Sequence, residues 1–223
     1  MSGRDYRAGL RQHLPLYLVT DTRQCGARSV AAVATEAVEG GATMVQVRDK
    51  EASARDLLHL LMAVANVVGN RVPVLVDDRV DLFLAARTAG AQVAGVHVGQ
   101  SDLPVELARS LVGPEAVVGL SAASDLEIRT AHRLPAGTVD YLGVGAIHAT
   151  TTKADHPEPL GIKGFGALVA PSTLPCVAIG GISSVDVRLL RDAGAAGVAV
   201  VSAVCSSDDP RAAARGLKEE WCL

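Results

Sequence analysis

The sequence predicts an α/β fold, a single-domain (β/α)8 TIM barrel over residues 1–223 with residues 1–13 as an N-terminal extension. Three observations lead there. Short Val-rich apolar runs alternate with Ala/Leu-rich amphipathic stretches, as in a parallel sheet buried on both faces. About eight such units fit the chain, a length at which one barrel closes. A local echo repeats: Ala89-Gly-Ala91 precedes Gly95-Val-His-Val98, and Ala193-Gly-Ala-Ala196 precedes Gly197-Val-Ala-Val200. Each Ala-Gly pair closes a helix and turns the chain into the next strand.

In order, the expected strands are Leu16–Thr20, Met44–Val47, Val74–Val76, Gly95–Val98, Val117–Leu120, Tyr141–Gly145, Cys176–Ile179 and Gly197–Val201. Helical patterns lie between them at Val30–Glu39, Ala54–Val68, Val80–Thr88, Val105–Leu111, Asp125–Arg133, Val185–Asp192 and Pro210–Glu220. Gly164–Ala170 is the weakest helical pattern. The Gly/Pro/His-rich stretch Ala149–Gly166 reads as a long loop, and long loops often carry function. No linker long enough to divide two domains interrupts the pattern.

Composition sets limits on function. The formal net charge is −3 and charged residues make up 20%, which gives no sign of binding to nucleic acid or an anionic membrane. A phosphorylated ligand must then be held by local cations. Cys25, Cys176, Cys205 and Cys222 are far apart in sequence and lack metal-type spacing. With no disulfide framework to infer, a reduced, cytoplasmic setting is expected. Met1–Gln12 is polar, carries Arg4, Arg7 and Arg11, and lacks the apolar stretch of a signal peptide. No apolar run approaches the ~20 residues of a membrane span.

A barrel places its chemistry where strands end. After the second strand, alternation puts Gln46 and Arg48 on one face with Lys50 just beyond, an amide and two cations suited to an anion beside a polar ring. A solvated strand end with surface charges would read the same way. The third strand ends in Asp77-Asp78-Arg79, and Asp102 follows the fourth. Hard oxygen donors from two adjacent loops suit Mg²⁺, which keeps waters and bridges phosphates. Asp is also a good helix cap, and Asp102 precedes Leu103-Pro104 at a helix start.

Ser121 ends the fifth strand and can donate to a phosphate oxygen or close a turn. Thr150, Thr151, Thr152 and Lys153 follow the sixth; hydroxyls with a lysine can line a polyanion, or form a polar loop tip. The seventh and eighth strands end in Gly180-Gly181 and Val201-Ser202, where such barrels frequently bind phosphate through backbone N–H groups. His97, on an apolar strand, reads as a satisfied core residue before a catalyst. His13, His59 and His132 look peripheral, and His148 and His156 flank the long loop. There is no HExxH, P-loop, GxGxxG or Ser-His-Asp arrangement.

Taken together, these segments resemble thiamine phosphate synthase. The resemblance runs in the family's order through Leu16–Asp21, Gln46–Lys50, Asp78–Asp81, Gly95–Pro104, Asp140–Gly145, Thr150–Lys153, Ala178–Ile182 and Gly197–Ala203. It implies a transferase that condenses hydroxymethylpyrimidine diphosphate with thiazole phosphate and releases pyrophosphate. By that resemblance Gln46, Arg48 and Lys50 hold the pyrimidine diphosphate, and Asp78 and Asp102 bind Mg²⁺. Ser121 and Lys153 contact the pyrophosphate. Arg48, Lys50, Lys153 and Ser121 form the catalytic set, which stabilises departing charge; no protein nucleophile is implied. Thr150 and Thr152 seat the thiazole phosphate, with Gly181, Val201 and Ser202 cradling it. A homodimer is compatible with this reading.

Two departures from the family pattern stand out. Asp77 replaces the usual Asn; an Asn both donates and accepts, whereas an ionised Asp only accepts. Asp77 can accept from the pyrimidine amino group or neighbour the metal. His148-Ala149 replaces an aromatic residue and a proline, changing one wall of the site. Two other readings compete. A thiazole-phosphate isomerase-like or regulatory paralogue would keep the phosphate cradle and lose the diphosphate cations. A sugar-phosphate isomerase or epimerase would need a proton-transfer pair, for which His97 with an Asp is the one weak candidate.

Overall fold

The computed structural model describes residues 6–149 and 158–223. Among these, eight parallel strands close into a barrel in sequential order, β1 to β8, with β8 pairing back onto β1. The strands are β1 Leu16–Val19, β2 Met44–Val47, β3 Val74–Asp77, β4 Gly95–Val98, β5 Val117–Ala122, β6 Tyr141–Gly145, β7 Cys176–Ile179 and β8 Gly197–Val200. The outer helices include α3 Val30–Glu39, α4 Ala54–Val68, α5 Val80–Thr88, α6 Val105–Val112, α7 Asp125–Arg133, α8 Gly161–Val169, α9 Ser184–Asp192 and α11 Pro210–Cys222. Shorter turns of helix are α1 Leu10–His13, α2 Thr22–Cys25 and α10 Ser202–Cys205.

Period-2 alternation divides the strands into two buried faces. Leu16, Leu18, Val45, Val47, Val74, Val76, Val96 and Val98 face outward into one apolar shell shared with Leu57, Leu61, Phe83, Ile128, Phe165 and Leu190 of the helices. Tyr17, Val19, Met44, Leu75, Val117, Tyr141, Val177 and Ala199 fill the barrel itself. Burying a side chain of this size contributes roughly 1.5–3 kcal/mol, so a strand slipped by one residue would exchange the two faces and forfeit both. The N-terminal segment closes the barrel's lower end: Leu10 and Leu14 join the inner cluster with Tyr6 against it. Arg7 locks this plug, donating through Nε to Asp140 at 2.6 Å and through its other nitrogens to the carbonyls of Pro114 and Gly137. Asp140 also pairs with Arg109 at 2.6 Å.

Local chemistry sets the helix ends. Ser29, Ser53 and Asp209 cap α3, α4 and α11 through their side chains, each satisfying an otherwise unpaired N–H. Ser124–Glu127 and Ser183–Asp186 form capping boxes on α7 and α9. Gly90 and Gly194 follow α5 and α9 at φ 84° and 99°, the left-handed turn expected of the Ala-Gly pairs. Three features differ from the sequence reading. α1, α2 and α10, each four residues long, are too short for a period of 3.6 to register. The helix after the long loop starts at Gly161, because burial of Phe165 and Val169 outweighs the low helix propensity of its glycines. Asp102 does not cap α6: Pro104 occupies the N-cap position, and the Asp102 carboxylate instead accepts from Gly99 N at 2.8 Å.

Candidate active site at the barrel mouth

At the C-terminal ends of β1 to β4 an acidic and basic cluster forms. Thr20 starts it: its hydroxyl accepts from Arg48 N at 3.1 Å and fixes where the chain leaves β2. The Arg48 guanidinium then lies between Asp21 and Asp77, with Nη1 3.2 Å from Asp21 Oδ2 and Nε 3.4 Å from Asp77 Oδ2. Lys50 Nζ is 3.6 Å from Asp77 Oδ2 and pairs directly with Asp78. Asp78 adopts φ 58° and is the one non-glycine residue with positive φ among those described. Its N–H donates to His97 O at 2.7 Å, which pins the left-handed turn that aims the carboxylate over the mouth. Such a conformation costs about 1–2 kcal/mol for a residue with a Cβ and is least unfavourable for Asp and Asn. Strain of this kind tends to persist at functional positions.

The electrostatics reflect crowding. Burial, and then the charge of Asp78, push Asp77 up to about 7. Burial and the neighbouring Asp78 carboxyl raise Asp102 above its ordinary value. Burial works against the Lys50 ammonium, but the hydrogen bond it donates to Asp78 and the charges of Asp77 and Asp78 outweigh it and raise its pKa.

Below this cluster runs a hydrogen-bonded chain inside the barrel. Gln46 Nε2 donates to Tyr17 Oη at 2.7 Å, Tyr17 Oη meets Tyr141 Oη at 3.0 Å, and Tyr141 Oη meets His97 Nδ1 at 2.9 Å. His97 Nε2 then meets Ser121 Oγ at 3.0 Å. Burial raises the pKa of both tyrosines, so both phenols stay protonated. His97 is therefore a satisfied interior residue, and it links Gln46 at one side of the mouth to Ser121 at the other. Room for its ring comes from glycines: a Cβ at Gly119 would meet His97 Nδ1 at 2.4 Å, and one at Gly143 would meet His97 Cε1 at 3.0 Å. The sequence reading placed Gln46 and Ser121 at the mouth but missed Thr20, Asp21, Tyr17 and Tyr141. Gly119 and Gly143, two residues apart from inward neighbours on adjacent strands, were the available signal.

Across the mouth, β7 ends in Gly180 and Gly181 at φ 103° and 67°. A Cβ at Gly181 would lie 2.8 Å from His148 Cβ and 3.1 Å from Ala149 O, so only glycine passes here. Val201 precedes α10, and Ser202 opens it, exposed. Thr150, Thr152 and Lys153 lie outside the described residues. The structure thus gathers Gln46, Arg48, Lys50, Asp77, Asp78, Asp102 and Ser121 at one rim, and Gly181, Val201 and Ser202 end β7 and β8 on the same rim. A recess of about 110 Å³ is lined there by Asp49, Lys50, Asp77, Asp78 and Arg79. A larger one of about 490 Å³ lies at the opposite end beside Arg7 and Pro175, away from this chemistry.

The model of the thiamine monophosphate synthase family matches residues 16–204. The chain belongs to that family. It is 45% identical over 206 residues to a thiamine-phosphate synthase of Azorhizobium caulinodans, covering 92% of this chain and 93% of the relative. It is 40% identical over 204 residues to the one of Psychrobacter sp., with 92% and 93% covered. The solved thiamine phosphate pyrophosphorylase of Pyrococcus furiosus superposes with a TM-score of 0.82 at 32% identity, covering 95% of this chain and 97% of that one. An orotidine 5'-phosphate decarboxylase from Pyrococcus horikoshii, 13% identical with a TM-score of 0.65, shares the fold alone.

The acidic pair also bears on a metal. Among the described residues no group of three or more His, Cys, Asp or Glu side chains converges as a metal site. Asp78 and Asp102 supply hard oxygen donors from two adjacent loops. That donor set fits a Mg²⁺ whose remaining ligands are water and phosphate oxygens.

Proposed function

We propose that this protein condenses hydroxymethylpyrimidine diphosphate with thiazole phosphate to give thiamine phosphate and pyrophosphate. Family membership supports the reaction, and one observation supports its location: Arg48 and Lys50 converge with Asp77, Asp78 and Asp102 on a single rim. Cations and acids gathered this way suit a diphosphate bound with a divalent ion. The glycine turn at Gly180-Gly181 suits a second, smaller phosphate.

In this reading Gln46 orients the pyrimidine from the mouth, held by Tyr17 beneath it. Arg48 and Lys50 exchange their carboxylate partners for the diphosphate oxygens. Ser121 and Lys153 hold the terminal phosphate. The bond between the pyrimidine methylene carbon and the diphosphate oxygen breaks, its electron pair leaving with pyrophosphate. The thiazole nitrogen lone pair then forms the new C–N bond to that carbon. No proton needs to move, so no general base is required. Fixed cations stabilise the developing charge without reorganising. Thr150, Thr152, Gly181, Val201 and Ser202 place the thiazole nitrogen within reach of the carbon. Asp78 and Asp102 would hold Mg²⁺, which supplies further charge neutralisation for the leaving group.

A cytoplasmic setting and a homodimer are both compatible with this reading; light scattering of the purified chain tests the second point. Incubation of the protein with both heterocycles and Mg²⁺ tests the function. Thiamine phosphate and pyrophosphate should form in equal amounts. Their absence with intact substrates would overturn the assignment.

A further inference from the structure

The wall beside the glycine turn carries a residue pair that the mechanism above leaves unused. His148 Nε2 lies 2.9 Å from Asp186 Oδ1. Asp186 is 6% exposed and is held from its other side: Oδ2 accepts from Ser183 N at 2.9 Å and Ser183 Oγ at 2.8 Å. The first of those bonds belongs to the capping box of α9, so the carboxylate that orients the imidazole is itself fixed by the helix following the glycine turn. The His148 main chain is fixed too, since its N–H donates to Gly180 O at 3.0 Å. The turn packs tightly on it, with the missing Cβ of Gly181 only 2.8 Å from His148 Cβ.

With Nε2 committed to Asp186, the second ring nitrogen, Nδ1, has no partner among the described residues. The side chain is 44% exposed at the rim. An imidazole with protons on both nitrogens can serve two acceptors at once, so a ring bonded to Asp186 through Nε2 can donate to an anion through Nδ1. Asp186 stays ionised to do this: burial opposes its charge, but the Ser183 N–H, His148 and the Ser183 hydroxyl outweigh that and hold it below its ordinary value.

We infer that His148, oriented by Asp186, is a binding residue for the phosphate monoester of the second substrate. It donates Nδ1–H to a phosphate oxygen seated on the Gly180-Gly181 turn. Asp186 is a positioning residue that acts through His148. The inference deepens the proposed function and rests on it. A phosphate dianion at this turn meets backbone donors and, from this wall, a charge-assisted hydrogen bond of the stronger kind. An aromatic residue in the same place could give only surface contact.

The test is steady-state kinetics on the full chain with each substrate varied in turn, together with calorimetric titration of thiazole phosphate and of the unphosphorylated thiazole alcohol. His148→Phe should raise KM and Kd for thiazole phosphate by about tenfold, equivalent to one lost hydrogen bond to a charged group. The KM for the pyrimidine diphosphate should move less than about twofold, the size of change with no such bond lost. Affinity for the thiazole alcohol should be the same in variant and wild type. Asp186→Asn keeps the helix-capping acceptor and should weaken thiazole phosphate binding in the same selective way by a smaller factor. An unchanged KM and Kd for thiazole phosphate in His148→Phe, or an equal rise for both substrates, would overturn the inference. A wild-type protein that binds thiazole phosphate yet forms no product would instead overturn the proposed function. The His148→Phe titration would still decide the role of the histidine in that case.

Discussion

Arg48 Nε lies 3.4 Å from Asp77 Oδ2, and both side chains are 12% exposed. The cation best placed for a diphosphate is therefore already held by an acid that a diphosphate must displace or sit beside. Arg48→Ala removes the attraction and should lower kcat/KM for the pyrimidine diphosphate by about tenfold or more. Asp77→Asn removes the competing charge while an amide can still accept and donate. It should leave kcat/KM at or above wild type and lower the KM for the diphosphate. Kinetics of the two variants side by side check both; a large loss in Asp77→Asn would show that its charge is needed.

Asp78 and Asp102 are neighbours at the mouth, and a divalent cation should relieve the repulsion between their carboxylates. Chelation should abolish turnover, and added Mg²⁺ should restore it. Asp102→Ala should raise the Mg²⁺ concentration needed for half-maximal rate by about tenfold, the scale of one lost ligand contact. A Mg²⁺ titration of the rate at saturating substrate measures this. Equal sensitivity in variant and wild type would remove Asp102 from the metal site.

The interior chain makes a stability prediction. Tyr141 Oη bonds both Tyr17 and His97, and Tyr141 is fully buried. Tyr141→Phe keeps the ring and strands the two partners, which should cost about 1–3 kcal/mol. Urea unfolding should show a lower midpoint with an unchanged slope. Gln46 and Ser121, at the two ends of the chain, should lose positional order, so kcat should fall with it.

Asp186 predicts an acid limb in the stability profile. Its folded pKa is depressed below the ordinary 3.8. Ionised Asp186 thus stabilises the fold at any pH above 3.8, and that contribution drains away as pH falls through the lower folded value. Thermal unfolding of Asp186→Asn should show a lower melting temperature than wild type near neutral pH. The gap should close as pH drops below 3.8. A gap independent of pH would assign the effect to packing.

Much of the fold was written locally. The Val-rich runs mark the eight strands within a residue or two at each end, because apolar continuity on both faces is a property of consecutive residues. The glycines after α5 and α9 close those helices because only they take positive φ without strain. The mouth residues Gln46, Arg48, Asp78 and Asp102 were found because alternation and strand ends locate the rim of any parallel barrel.

What the order of residues could not show is which side chains would meet. Asp21 joins Arg48 across 27 positions, Tyr17 joins Tyr141 across 124, and His148 finds Asp186 across 38. A barrel brings its first and last strands into register, so partners are chosen by strand stagger and by the space glycines leave, and neither is a local property. The amino-acid sequence by itself determined the barrel, its two apolar faces and the rim that carries the charges. Tertiary closure alone decided that Arg48 is shared between two acids, that His97 lies inside a hydrogen-bonded chain, and that His148 is aimed by a buried carboxylate. The physical reason is that hydrogen bonds and ion pairs act only over a few ångströms, and only the folded barrel sets those distances.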